Sequence, residues 1–83
     1  MKMSMYVIYD RLALESGPIF EAKNDAVAGR KYLSALTDVL AGRDGEYRLL
    51  RVGSMDHDTQ KLVLEDPPIE VPVYNPEKEV ENG

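Results

Sequence analysis

The apolar residues of this chain fall into short groups that are separated by polar or turn-forming stretches. Residues 3–9 are rich in β-branched and aromatic side chains, which predicts a first strand apolar enough on both faces to lie centrally in a sheet. Residues 18–22, 47–52 and 61–64 predict three further strands, and residues 11–16 a loop. Gly53 directly follows the third strand and is expected at a β-bulge or at a close approach of two backbone segments.

Between the second and third strands the apolar residues recur every three or four positions, as on one face of an α-helix. These positions are Ala26, Gly29, Tyr32, Leu33, Leu36, Val39 and Leu40. Asn24 is a favourable N-cap, Asp25 places a negative charge in the first turn, and Gly42 is the expected C-cap. The order ββαββ predicts an α+β fold, with a single helix packed on a small, mostly antiparallel four-stranded sheet.

The C-terminal part differs in composition from the rest of the chain. We expect a compact domain over residues 1–66, an extended Pro-rich arm over 67–74 and an acidic, disordered tail over 75–83. In the arm Ile69, Val71 and Val73 occupy alternate positions, and its prolines exclude it from a central strand position. One helix covers only part of a four-stranded sheet, so we expect a homodimer in which these three residues contact the partner. Docking of the arm onto its own subunit is the alternative.

Charge and composition narrow the classes of function. The net charge is −5, and residues 65–83 carry the whole excess because they hold one lysine against six acidic side chains. The chain has no cysteine, so a disulfide or a thiolate metal site is excluded. It has no apolar run of the ~18 residues needed to cross a membrane, and no secretory signal is expected.

Few residues suggest chemistry. Asp56, His57 and Asp58 are adjacent, but neighbouring residues rarely converge on one ion and the sequence has no second histidine, so a hairpin turn is the better interpretation. No nucleophile motif, phosphate loop or paired catalytic group is present. The sequence predicts a non-enzymatic protein with no catalytic residue, no metal and no cofactor.

A nucleic-acid surface is the most specific hypothesis for binding. Arg48, Arg51 and Lys61 supply positive charge, and Tyr47 is a candidate for stacking on a base. The alternative is that the tyrosines close the edge of the core and the arginines are solvated, which the overall acidity favours.

Two blocks of sequence resemble a known family. The first block consists of Tyr9-Asp10-Arg11 and residues 17–28, and the second of residues 47–59. The most specific motif in the first block is Pro18-Ile19-Phe20-x-Ala22, and that in the second is Gly53-x-x-Asp56-x-x-Thr59. Together they resemble the small nonstructural protein, the product of the fifth open reading frame, of gokushoviruses, which are single-stranded-DNA microviruses of bacteria. Related proteins tend to have glycine at the position of Gln60. Glutamine adopts the left-handed conformation that glycine allows only at an energetic cost.

The resemblance implies a role in DNA replication, in particular in the shift from duplex replication to the synthesis and packaging of single strands. It also implies a location in the host bacterial cytoplasm and absence from the virion. The implied partners are single-stranded DNA or the viral or host replication complex. A protein-interaction module that binds a host or viral protein without touching nucleic acid is the alternative.

Overall fold

A computed structural model describes residues 1–37 and 44–73. Its strands are β1 (Lys2–Asp10), β2 (Glu15–Ser16), β3 (Phe20–Ala22), β4 (Tyr47–Asp56) and β5 (Lys61–Glu70). One α-helix, α1 (Asp25–Ala35), follows β3, and a 3-10 helix (Asp44–Glu46) precedes β4. The expected C-cap Gly42 and the acidic tail lie outside the described residues.

The strands form one antiparallel sheet in the order β2-β1-β4-β5, and β3 pairs with the same edge of β1 as β2 does. The α+β prediction and the central position of β1 are therefore confirmed. β2 was not predicted: residues 11–16 were expected to be a loop, but Tyr9 pairs with Ser16 and Asp10 with Glu15. Two paired residues are too short a segment to show an alternating pattern in the sequence.

The core lies between α1 and one face of the sheet. Tyr6 and Leu49 are its largest fully buried side chains, and the Tyr6 ring stacks on Phe20 with 5.7 Å between the ring centroids. The other buried members of this cluster are Ala22, Ala28, Tyr32, Leu36 and Val71. Burial of these apolar side chains is the main favourable term for holding the helix on the sheet.

α1 begins where the sequence predicts but ends earlier than the sequence predicts. Asn24 Oδ1 accepts a hydrogen bond from the backbone N–H of Val27 at 2.9 Å, so the N-cap is confirmed. The predicted apolar stripe continued to Leu40, but α1 ends at Ala35 with Leu36 as its C-cap. Thr37 Oγ1 donates to the carbonyl of Leu33 at 2.9 Å, a local bond that competes with continuation of the helix.

β5 extends beyond the strand that the sequence predicts. It continues past Leu64 to Glu70, so the expected boundary between the domain and the arm falls inside a strand. The register jumps there: Gly53 pairs with Leu64 and Arg51 with Ile69, which leaves residues 65–68 without a cross-strand partner. Two prolines are tolerated in this segment because they interrupt no ladder hydrogen bond. The Asp66–Pro67 peptide bond is cis.

Gly53 lies at this irregularity, as predicted. A Cβ atom at this position would lie 2.4 Å from the carbonyl oxygen of Val63, a distance that no side chain can occupy without a shift of the backbone. Gln60, in the turn before β5, has φ of 59°, the left-handed conformation that glycine adopts at lower cost.

Candidate nucleic-acid interface

The four residues predicted to bind nucleic acid do not form one surface. Tyr47 and Arg48 begin β4, Arg51 lies in its middle, and Lys61 begins β5 opposite Asp56, the last residue of β4. At about 3.3 Å per residue, the eight positions from Arg48 to Asp56 place Arg48 and Lys61 roughly 26 Å apart along the sheet. Arg48 and Lys61 are therefore too far apart to bind the same phosphate or base together.

Arg51 belongs to a structural network beneath the helix. Its Nη1 donates to both carboxylate oxygens of Asp25, at 3.0 and 2.9 Å, and its Nε lies 3.4 Å from Glu65. Tyr6 Oη donates to Asp25 Oδ1 at 2.7 Å. The network ties the first turn of α1 to β1, β4 and β5, and two carboxylates already neutralise the guanidinium. Arg51 is thus poorly placed to bind a phosphate.

The same network perturbs the ionisation of its members. The hydrogen bond from Tyr6, and then those from Arg51, hold the pKa of Asp25 below its ordinary value, although partial burial opposes them. Burial raises the pKa of the Tyr6 hydroxyl, and its hydrogen bond to Asp25 adds to this effect. The hydrogen bonds to Asp25 raise the pKa of Arg51. The network therefore favours an ionised Asp25, a protonated Tyr6 hydroxyl and a charged Arg51.

Arg48 lies at the opposite end of the sheet from Lys61 and has a different environment. Its Nη1 donates to the backbone carbonyl of Tyr47 at 2.8 Å and to that of Gly45 at 3.1 Å. Its Nε lies 3.5 Å from Glu70 in a largely exposed ion pair. An exposed ion pair of this kind contributes little to stability, so Arg48 can exchange Glu70 for another anion.

Sequence reasoning missed Arg11, the residue that the structure places beside Arg48. The backbone N–H of Arg11 donates to the carbonyl of Glu46 at 2.8 Å, which continues the pairing of β1 with β4 by one residue. Its Nη1 donates to the carbonyl of Gly45 at 2.9 Å, the same oxygen that Arg48 contacts. The two Nη1 atoms therefore lie no more than about 6 Å apart.

We call Arg11 and Arg48, with the carbonyl of Gly45 between them, the arginine pair. Tyr9 pairs with Arg48 across β1 and β4, and Asp10 pairs with Tyr47, so two half-buried tyrosines lie at the same end of the sheet. No local sequence pattern could have shown this, because 37 positions separate the two arginines and only the register of β1 on β4 brings them together.

The acidic turn around His57 has the structure of a turn, as expected. Asp56 Oδ1 accepts from the N–H of Asp58 at 2.9 Å, and this bond is the leading cause that lowers the pKa of Asp56. Asp58 contacts the N-terminal ammonium of Met1, and His57 Nε2 contacts the carboxylate of Glu21. Asp56 also lies 3.5 Å from the ammonium of Met1, so the two aspartates share that group while His57 turns to Glu21. No cluster of three metal-binding side chains occurs among residues 1–37 and 44–73.

The arm residues meet different surroundings. Val71 is buried in the core, where its N–H donates to the carbonyl of Leu49 at 2.8 Å, and Val73 packs against α1 at Gly29. Ile69 pairs with Arg51 and is partly exposed. Val71 and Val73 thus contact their own subunit, the alternative that the sequence left open. The contact of the arm with a dimer partner stays a prediction.

A groove of about 540 Å³ runs between α1 and the segment 71–73. It is lined mainly by apolar residues, together with Asp25 and Arg30; the apolar ones are Ala26, Gly29, Leu33, Val71, Pro72 and Val73. No helix of the described part of the chain is long and apolar enough to cross a membrane.

Comparison with known proteins gives a family. Residues 3–75 match the family model described as Phage ORF5 protein; the match covers most of the chain, including the helix and every described strand except Lys2, the first residue of β1. A search of curated proteins and a search of solved structures each gave no significant match. Because the family model matches far more than half of the sequence, this chain belongs to the phage ORF5 protein family.

Proposed function

We propose that this protein is a non-enzymatic phage accessory protein that acts in genome replication, or in the switch to single-strand synthesis and packaging, by contacting single-stranded DNA at the arginine pair. Its family is one of phage proteins, and the resemblance to the gokushovirus protein supports the replication setting. The observation that carries the proposed contact is the convergence of Arg11 and Arg48 on one carbonyl oxygen.

Electrostatics favours an anion at this place. Two guanidinium groups within about 6 Å repel each other. The carbonyls of Gly45 and Tyr47 and the exposed carboxylate of Glu70 offset part of that repulsion. A phosphate group lying against both arginines replaces the repulsion with charge-assisted hydrogen bonds. Tyr9 lies opposite Arg48 in the register of β1 on β4, where stacking of an unpaired base on an aromatic ring adds affinity without sequence preference. Tyr47 packs against the core, so it closes the edge of the core as the alternative interpretation of the sequence expects.

The acidic surroundings set the expected strength. Glu70 must give up its contact with Arg48, and the net charge of −5 opposes approach to a polyanion. We therefore expect weak binding of single-stranded DNA that is readily abolished by salt, with a slope of log affinity against log salt of about −0.7 to −1.4 for one or two phosphates.

The experiment is binding of a fluorescent oligothymidine to the full chain, measured by anisotropy across a salt series beginning at low ionic strength. We expect Arg11→Ala and Arg48→Ala each to weaken binding and to flatten the slope. Lys61→Ala is the matched control, because it removes one exposed positive charge about 26 Å away and should change neither quantity much. Absence of binding at low salt, or an equal effect of all three variants, would overturn the proposed contact.

A second candidate, a protein-interaction module, has its own support at the same end of the molecule. Leu12 and Leu14 lie in the turn between β1 and β2 with 73% and 74% of their surface exposed, and Leu14 is held at φ of 59°. Exposed leucines on a tight turn, one in a conformation unfavourable for a side chain, are typical of a binding loop. Asp10 fixes the turn by accepting from the N–H groups of Leu12 and Ala13 at 3.0 Å.

Complementation of a phage that lacks this protein separates the two candidates. If DNA contact carries the function, single-strand genome synthesis falls with Arg11→Ala/Arg48→Ala and persists with Leu12→Ser/Leu14→Ser. The reverse result would favour the protein-interaction module and would refute direct DNA contact as the essential activity. Circular dichroism of both double variants controls for loss of the fold.

A further inference from the structure

The outer edge of β5 is the least protected part of the sheet. β5 pairs with β4 on one side, and no strand within residues 1–37 and 44–73 pairs with its other side. Leu62, Val63 and Leu64 are consecutive and have 53%, 50% and 67% of their surface exposed. Such an edge presents free N–H and C=O groups beside apolar side chains on both faces, which is a template for pairing with another strand.

The two halves of this edge differ in their protection. In the half nearer the C-terminus, Pro67 and Pro68 lack N–H donors and lie in the segment without cross-strand partners, so that half resists addition of a strand. Residues 61–65 contain no proline and pair regularly with β4 from Lys61 to Leu64. The open half is therefore a proline-free segment in which every second residue points its N–H and C=O away from β4, with Glu65 following where the pairing to β4 stops.

The sequence of this open half is complementary to itself. When two copies of Lys61–Glu65 run antiparallel with Val63 opposite Val63, Lys61 of each copy faces Glu65 of the other, and Leu62 faces Leu64. Directly opposed residues have Cβ atoms about 5 Å apart, so both charge pairs and both leucine pairs make contact. A parallel arrangement in the same register instead places Lys61 against Lys61 and Glu65 against Glu65.

We propose that this edge is an interface between two copies of the chain, in which β5 pairs antiparallel with β5 about a two-fold axis at Val63. The partner is a second copy rather than an unrelated strand because the complementary charges occur within one five-residue segment. Glu65 can serve both contacts, since Arg51 occupies one of its carboxylate oxygens at 3.4 Å and the side chain is partly exposed. The interface is isologous, as in most dimers.

The pairing extends one sheet across both subunits and covers the apolar face of the open edge. Five residues per copy bury less surface than a standard protein interface, so the dimer is expected to be weak, with a dissociation constant on the order of 10 to 100 μM. The interface leaves the arginine pair free, because that pair lies at the far end of β4. The dimer is thus independent of DNA binding.

Sedimentation velocity of the full chain over a concentration series of about 5 to 500 μM tests the proposal. We expect a monomer–dimer equilibrium that Lys61→Glu weakens at least tenfold, because two like charges then face each other at each end of the interface. Glu65→Lys should act similarly, and the double variant Lys61→Glu/Glu65→Lys should restore dimerisation with the charges exchanged.

Lys23→Glu is the matched control, since it makes the same charge reversal at an exposed lysine outside β5 and should leave the equilibrium unchanged. Glu65→Lys also removes the contact of Glu65 with Arg51 and can destabilise the fold. Lys61→Glu does not have this effect, because Lys61 has no ion pair within the described residues. A chain that is monomeric throughout the range overturns the proposal. So does a dimer that Lys61→Glu leaves intact, or a double variant that fails to restore association while remaining folded.

Discussion

The two halves of the β4–β5 pair share the same two strands but have different surroundings. In the half formed by residues 47–51 and 69–70, Leu49 is buried, Arg51 binds the helix through Asp25, and Val71 follows directly into the core. In the half formed by residues 53–56 and 61–64, no residue belongs to that core. The register change at Gly53 separates them, so one hairpin holds the helix at one end and offers an open edge at the other.

The largest effect should come from truncating a leucine in the covered half. Leu49→Ala removes a side chain that is 1% exposed and should lower the free energy of unfolding by about 2–5 kcal/mol. Leu62→Ala, the same change in the open half, should cost less than about 1 kcal/mol in the dilute monomer, since the side chain is already half in water. Urea unfolding of both variants measures the contrast, and similar losses would remove the distinction between the halves.

The boundary between the halves can be tested at Gly53. A Cβ atom there would lie 2.4 Å from Val63 O and 3.1 Å from Met5 Cε, so Gly53→Ala must shift backbone and should lower the free energy of unfolding by about 2–3 kcal/mol. Gly45→Ala is the matched control because a Cβ atom there meets nothing within 4 Å. Thermal unfolding of the pair decides the matter; a Gly53→Ala protein as stable as the control would show that the close approach is absent.

The polar network of the covered half should appear in the pH dependence of stability. The pKa of Asp25 in the folded state lies below its ordinary value of 3.8, so its ionised form stabilises the fold above that pH. This stabilisation is lost as the pH falls through the lowered pKa. Asp25→Asn should cost about 1 kcal/mol at neutral pH, a modest figure because the site is partly exposed, and the cost should shrink in acid.

Tyr6→Phe should have a related effect, because it removes the hydroxyl whose hydrogen bond is the largest cause of the lowered pKa. Urea unfolding from pH 7 to pH 2.5 of these variants, with Glu15→Gln as a control carboxylate on exposed β2, measures the change. A cost of Asp25→Asn that stays constant across this range would contradict the assignment.

The smallest expected effect lies in the turn of the open half. Gln60→Gly relieves the left-handed backbone at φ of 59° and should raise the free energy of unfolding by about 0.5–1 kcal/mol. The variant also loses the hydrogen bond from Gln60 Nε2 to the carbonyl of His57. Gln60→Ala loses the same bond without relieving the backbone, so the difference in unfolding midpoint between the two variants isolates the conformational term.

Features set by neighbouring residues could be predicted from the sequence. The cap at Asn24 depends on a residue three positions away, and the close approach at Gly53 needs only the absence of a side chain. The order of elements, and with it the α+β class, followed from local hydrophobic periodicity. The cap and the periodicity depend little on tertiary structure, which is why they are visible in one sequence. At Gly53 the sequence marked the position but not the neighbour, which is Val63 of β5.

Features that depend on pairing between distant residues could not be predicted from the sequence. The predicted nucleic-acid residues were grouped by charge, but the register of β1 on β4 decides that Arg48 meets Arg11, while the helix position decides that Arg51 meets Asp25. The continuation of β5 past Pro67 depends on a register jump that only the neighbouring strand defines. The early end of α1 at Ala35 likewise goes against a periodicity that continued to Leu40.

The pairing of β1 with β4 also governs when the protein can fold. During synthesis β1 is made first, yet its longest partner strand, β4, comes much later: Asp10 pairs with Tyr47, 37 positions on, and Lys2 with Asp56, 54 positions on. Val71, which fills the core beside Leu49, follows later still. A fold dominated by such distant pairings closes slowly, because the entropy of a long loop must be lost before the contacts form. In the nascent chain β1 therefore lacks its partner β4 until residues 47–56 are made, and the core lacks Val71 until later still.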